Sequence, residues 1–284
     1  MNTELKYEIS ALITMTKTLL KISMRYPLDF TAGFISLLFW ILMFFTAALV
    51  FASPENSATS SFYINSITWG MIIFFFINDL VWTMGVGIRY AQITGVLEQT
   101  FLTPNKEHIY PLSRALRSLL LTIPFSIWAL LLMELLTGAV RIVNPLLGIY
   151  ILIISAIMFM GFGFLYAGLI INIKKAHTIT GFFQFIIMIF CAVFFPFKAL
   201  PEQLLIISKL IPFSYSVDLF RTVISGYQPE LFPEKITIGM YSITSFQLEF
   251  LIIHIFTVVF LITGFKYYKY TIEKAKREGS LGLY

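Results

Sequence analysis

The 284-residue chain is 58% hydrophobic and only 12% charged, whereas soluble domains carry about a quarter charged residues. Thirty Phe and fourteen Tyr in a chain of net charge +5 do not suit a water-facing surface, so the composition reads as an integral membrane protein. The basic residues are dispersed rather than clustered, which sets nucleic acid aside as a partner. The single cysteine, Cys191, excludes an intrachain disulfide or a cysteine metal cluster.

Residues 1–27 carry one apolar stripe (Leu5, Ile9, Leu12, Ile13, Thr16, Leu19, Leu20) beside Lys6, Lys17 and Lys21. This is the pattern of a helix lying in a membrane interface, and it is too long and too charged for a cleavable leader. Six apolar runs follow, each near the length of about 20 residues that crosses a bilayer. They are 30–51, 62–88, 116–136, 145–173, 178–197 and 246–265. All read as helices, because a backbone in lipid must satisfy its own hydrogen bonds, and the short alternating segments of a barrel are missing. The expected fold is an all-α integral membrane protein with six transmembrane helices, forming one domain over 1–284. Fifteen of the twenty Lys and Arg fall before the first span, between the second and third, at Lys174 and Lys175, or in the tail. The positive-inside rule then places both termini in the cytoplasm.

Two segments outside the spans stand out. Between the second and third, around 91–107, Ile93, Val96, Leu97, Thr100 and Phe101 recur at helical spacing, with Glu98 beside them and Pro104 ending the pattern. On the residues alone, that amphipathic face fits either a groove in a partner protein or the membrane surface. In the outer loop, 198–245, Pro196, Pro201 and Pro212 bracket two short apolar helices, about 202–210 and 216–225, with Gly226 in a helix-stop position. These pieces are too short to cross and too apolar for water, so they should re-enter the outer leaflet or cap the bundle. Asp218 and Arg221 are three apart and are expected to pair on one face.

Chemistry-bearing motifs are scarce. No Gly is followed by Lys, so the phosphate-binding loop is absent. His108, His177 and His254 are far apart, and neither a zinc-protease nor a nucleophile-elbow motif occurs. Catalytic, cofactor and metal residues are therefore expected to be none. Asn78 and Asp79 sit within the second span, where a charge is a functional suspect. They line a transport path, or else Asp79 simply bonds a neighbouring helix. Glu134 and Glu249, near span ends, are expected to reach water. Gly161, Gly163, Ala167 and Gly168 on the fourth span are expected to allow close helix packing.

In this order the parts resemble the permease subunit of ABC-2 type transporters. The stretch from Gly95 to Leu120 is similar to that family's G-x-L-E-x-hydrophobic-x-x-[ST]-P pattern, on which Gly95, Leu97, Glu98, Thr103 and Pro104 fall. The stretch from Phe194 to Gly226 is similar to its F-P, L-P, P-x-x-Y, D-x-x-R, G segment, on which Pro196, Leu200, Pro201, Pro212, Tyr215, Asp218, Arg221 and Gly226 fall. The resemblance implies a cytoplasmic coupling helix carrying Ile93, Val96, Leu97, Glu98, Phe101 and Pro104, docked on a separate ATP-binding subunit that holds ATP and Mg. It also implies pairing with a second permease copy, the same or related, in the plasma membrane among its lipids. The cytoplasmic motif and the short outer loop lean towards the drug-export branch. The competing expectation is a stand-alone secondary transporter or channel that works through Asp79; a membrane-embedded enzyme is disfavoured because no catalytic constellation is present.

Overall fold

A computed structural model describes residues 3–51, 57–173, 176–238 and 241–279. The elements are α1 (Thr3–Arg25), α2 (Pro27–Phe51), α3 (Ser57–Ile93), α4 (Val96–Phe101), α5 (Ile109–Thr137), α6 (Pro145–Ile171), α7 (Ala176–Phe190), α8 (Glu202–Leu210), α9 (Pro212–Ser225) and α10 (Ser245–Arg277). A short antiparallel hairpin, β1 (Lys235–Ile238) and β2 (Tyr241–Thr244), precedes α10 and pairs Lys235 with Thr244. It adds a small sheet that the expected all-α fold lacked. Its strands are built largely from β-branched and aromatic residues, which suit a pleated pair.

Local chemistry sets the helix ends. Asn144 caps α6 by accepting from Leu147 N, with Pro145 in the first turn. Thr244 and Gln247 form a reciprocal capping box at the start of α10. Gly138 and Gly226 end α5 and α9 in the left-handed conformation, the latter as the sequence predicts.

Five helices (α2, α3, α5, α6, α10) are long and apolar enough to span a membrane, and the molecule is a multi-pass helical membrane protein. The expected fifth span does not survive as written. α7 is helical only to Phe190, 15 residues in all, after which the chain turns through 191–195. A further crossing exists only if α8 and α9, bent by 102° at Ile211, count as one broken span. Lys174 and Lys175, used for orientation, lie outside the described residues. Arg89, Arg114 and Arg117, expected in a loop, belong to α3 and α5.

α3 is the axis of the bundle: 78% of its apolar window is buried, against 17% for α2. α5, α6, α7 and α9 pack around it, and α10 lies along α6. The α6–α10 crossing is as close as two helices allow. A Cβ on Gly161 would sit 2.7 Å from Leu261 N and 2.8 Å from Phe260 C, and one on Gly168 would sit 3.1 Å from Tyr268 Cα. Gly163 faces Met84 of α3 instead. The small residues on α6 therefore do pack helices closely, by van der Waals contact that lipid cannot replace. Gly161→Leu is expected to destabilise the protein by about 1–3 kcal/mol through overpacking. Gly181→Ala, where a Cβ meets nothing within 4 Å, should raise stability slightly, since alanine is the better helix former; thermal unfolding in detergent compares the two.

Candidate functional site

At the hairpin-bearing end, α9 is buried on nearly every side although it carries Ser, Asp and Arg. Pro196, Pro201 and Pro212 each stand at the start of a helical turn, where the missing N–H costs nothing. Tyr215 Oη donates to Lys209 O (2.5 Å), closing the α8–α9 bend. Arg221 and Asp218 do not pair with each other: no ion pair joins them among the described residues, and each bonds the backbone of a different loop. Arg221 Nη2 donates to the carbonyls of Ala192 (2.7 Å) and Val193 (3.2 Å), and Nη1 to Phe195 (3.4 Å). Those carbonyls are freed where the chain leaves α7, with Ala192 in the left-handed region at φ 50°. Asp218 Oδ2 accepts from Glu230 N and Leu231 N, both at 2.8 Å. The i, i+3 spacing permits a pair, but unsatisfied backbone groups in an apolar interior are worth more.

Glu249 also departs from expectation. It is fully buried, Ser245 Oγ donates to its Oε1 (2.9 Å), and its carboxyl meets that of Asp218 on α9. Glu134, by contrast, is exposed and accepts from Val140 N.

At the opposite end lies the amphipathic segment. The continuous helix expected from Ile93 to Phe101 is broken: α3 ends at Ile93, Gly95 turns the chain at φ 71°, and α4 is only six residues long. Side-chain periodicity cannot see that turn. Leu97 is buried in the chain's own core, and Phe101 lies under Lys276 Nζ, 4.9 Å from its ring centroid. Facing outward are Ile93 (54% exposed), Val96 (42%), Glu98 and Leu102 (87%), followed by Thr103 and Pro104. The outward face thus keeps Ile93, Val96 and Glu98, loses Leu97 and Phe101, and gains Leu102.

Ion pairs hold the segment after α4 from two sides. Lys106 Nζ lies 2.5 Å from Glu8 and 3.0 Å from Glu4 of α1, and its hydrogen bonds to Glu8 and then Glu4 hold it above its ordinary pKa. Lys276 of α10 lies 2.6 Å from Glu107 Oε1. Burial opposes ionisation of Glu107, but the hydrogen bond and charge of Lys276 outweigh it and leave the carboxyl below its ordinary value.

Within the bundle, Asp79 Oδ2 accepts from Ser118 Oγ (2.6 Å) and from Thr122 Oγ1 of α5. Asp79 therefore does bond a neighbouring helix. It also lines, with Asn78, a cavity of about 510 Å³ between α1, α2, α3 and α5. Arg117 on the same wall donates from Nε (3.0 Å) and Nη2 (2.6 Å) to Ser23 Oγ. Sequence reading missed Arg117 here. The signal available was the i, i+4 hydroxyl pair Ser118 and Thr122, which on one helix face asks for an acceptor. Among the described residues no group of three or more His, Cys, Asp or Glu could hold a metal.

A bundle of long apolar helices, with a bent helix pair anchored by a buried arginine at one end and a short helix held by ion pairs at the other, defines a multi-pass helical membrane protein. Residues 10–224 match the family described as ABC-2 type transporter. The chain belongs to that family, whose members are the membrane components of ABC transporters. No individual curated protein matches it.

Arg221→Met strands the three carbonyls and is expected to cost on the order of 3–5 kcal/mol, read as a lower thermal midpoint in detergent; Arg221→Lys, a point donor without the planar fork, should recover only part. Glu107 has a folded pKa below its unfolded one, so its contribution is complete above the ordinary carboxylate value and is lost as pH falls through the lowered one. Amide protection factors over 101–108, taken relative to the intrinsic exchange rate at each pH, should therefore fall on acidification, and Glu107→Gln should show that lower protection already at neutral pH.

Proposed function

We propose that this chain is the permease subunit of an ATP-driven exporter in the plasma membrane. It pairs with a second permease copy, the same or related, and the pathway runs along their interface. Both termini and α4 face the cytoplasm, a reading supported by the bias of Lys and Arg towards that end. α4 docks in a groove of a separate ATP-binding subunit, which holds ATP and Mg and performs the hydrolysis. The observation that carries this is the outward face of α4. Val96 of α4, with Ile93 and Leu102 flanking it, presents apolar side chains beside acidic Glu98, on a segment tied to α1 and α10 by Lys106 and Lys276. That is a helix-in-groove surface. The form of the cytoplasmic motif and the short outer loop favour a drug-like cargo.

Affinity purification from mild-detergent membranes tests the reading. Wild type should retain an ATP-binding subunit, and Val96→Asp with Leu102→Asp should lose it by about tenfold or more, the worth of removing apolar anchors from a groove. Both side chains are exposed, so the variant should elute as wild type does. If neither form retains an ATPase, the docking reading fails. The alternative of a gradient-driven transporter or channel working through Asp79 then stands, supported by the place of Asp79 on a cavity wall.

A further inference from the structure

The 510 Å³ cavity beside Asp79 lies within one chain, between α1, α2, α3 and α5, so it does not depend on the partner reading or on the interface between two copies. Its polar and apolar parts are separated along the bundle axis. The polar part sits by the α1–α2 bend, where Ser23, Arg117 and Asp79 meet. Away from it, Phe74 stands five residues from Asp79 on α3 and Phe125 eight residues from Arg117 on α5. At a rise of 1.5 Å per residue, the aromatic wall extends about 8–12 Å beyond the charges. Trp40 of α2 completes it.

The charges keep free valences. Both hydroxyls that bond Asp79 use Oδ2, leaving Oδ1. The bonds from Arg117 use Nε and Nη2, leaving Nη1. Among the described lining residues one carboxylate and one guanidinium sum to no net charge, so a head of either single sign would meet its like charge there. A head bearing both signs satisfies both groups: an anionic phosphate or carboxylate suits Arg117, and an ammonium suits Asp79 and the neighbouring ring faces. The volume is in the range of small-molecule pockets, roughly 300–1,000 Å³, and the aromatic wall of about 8–12 Å takes the first part of one chain, the rest running out among the apolar helices.

We propose that this cavity binds a zwitterionic, single-chain amphiphile, its head between Asp79 and Arg117 and its chain along Trp40, Phe74 and Phe125. Trp40 supplies the readout. The full chain, purified in a maltoside detergent, is titrated with three probes brominated on an eighteen-carbon chain: lysophosphatidylcholine, stearate and an alkyl trimethylammonium. Bromine quenches indole fluorescence on contact. The zwitterion should quench saturably, with a half-saturation concentration about tenfold below that of either singly charged probe, the worth of one charged hydrogen bond. Trp40→Phe should remove most of the saturable part. Asp79→Asn and Arg117→Gln should each raise the half-saturation about tenfold. Gly33→Leu fills the cavity from a position where a Cβ meets nothing within 4 Å; it should abolish saturation with the elution profile and thermal midpoint unchanged. Equal half-saturation for the three probes, or no response to Asp79→Asn and Arg117→Gln, would overturn the proposal and leave an unselective apolar crevice. Preference for the ammonium probe would overturn it too, assigning recognition to Asp79 alone.

Discussion

A helix that stops within an apolar bundle needs something else to satisfy the carbonyls it abandons. Here that something is the Arg221 guanidinium. It reaches three carbonyls of 192–195 from a helix 30 residues further along the chain, and the rest of the hairpin-bearing end is arranged around the reach. Gly70 of α3 gives the guanidinium its space, since a Cβ there would collide with Nη2 and lie 2.8 Å from Val193 O. Phe197 places its ring beneath the charge, 5.8 Å away. Asp218, one turn back on the same helix, fastens the 230–231 strand of loop. α9 is thus buried with its two charged side chains, Asp218 and Arg221, spent on backbone elsewhere in the chain, and α7 can be short because α9 exists.

The opposite end is held differently. Among the described residues, buried Arg89 acts there only through Gln92, to which it donates and which in turn donates to Ile171 O. Lysine–glutamate pairs with partly exposed side chains tie the 102–108 segment to α1 and to α10. Exposed pairs are individually weak, but they act here with the burial of Leu97 and with Phe101 beneath Lys276. α4 is therefore positioned by three parts of the chain that are far apart in sequence, while its own length of six residues gives it little intrinsic stability.

Much of this was legible in the amino-acid sequence, and the misses share a cause. Hydropathy placed α2, α3, α5, α6 and α10 within a few residues to a dozen of their bounds, because lipid demands long apolar helices. Composition could not show that 191–197 is broken, since its residues are as apolar as those of a helix and the satisfying group lies at Arg221. Side-chain spacing ran straight through Gly95, whose backbone turn carries no periodic signature. The end-of-span rule assumed water beside Glu249, where α9 stands instead. The i, i+3 spacing of Asp218 and Arg221 was read as a pair because sequence shows which groups are near, not which unsatisfied backbone atoms compete for them. The Asp79 cavity drew notice only through its one acid; Arg117 and Trp40 join it from helices whose mutual arrangement no local pattern records.

The glycine-tight crossing of α6 and α10 has a mechanical side. α10 runs 33 residues without a break, about 50 Å at 1.5 Å per residue. One end abuts the hairpin beside α9, and the other carries Lys276, bonded to Glu107. A rod welded along its middle to α6 bends poorly, so α6 and α10 form one stiff unit that links the hairpin-bearing end to the 101–108 segment.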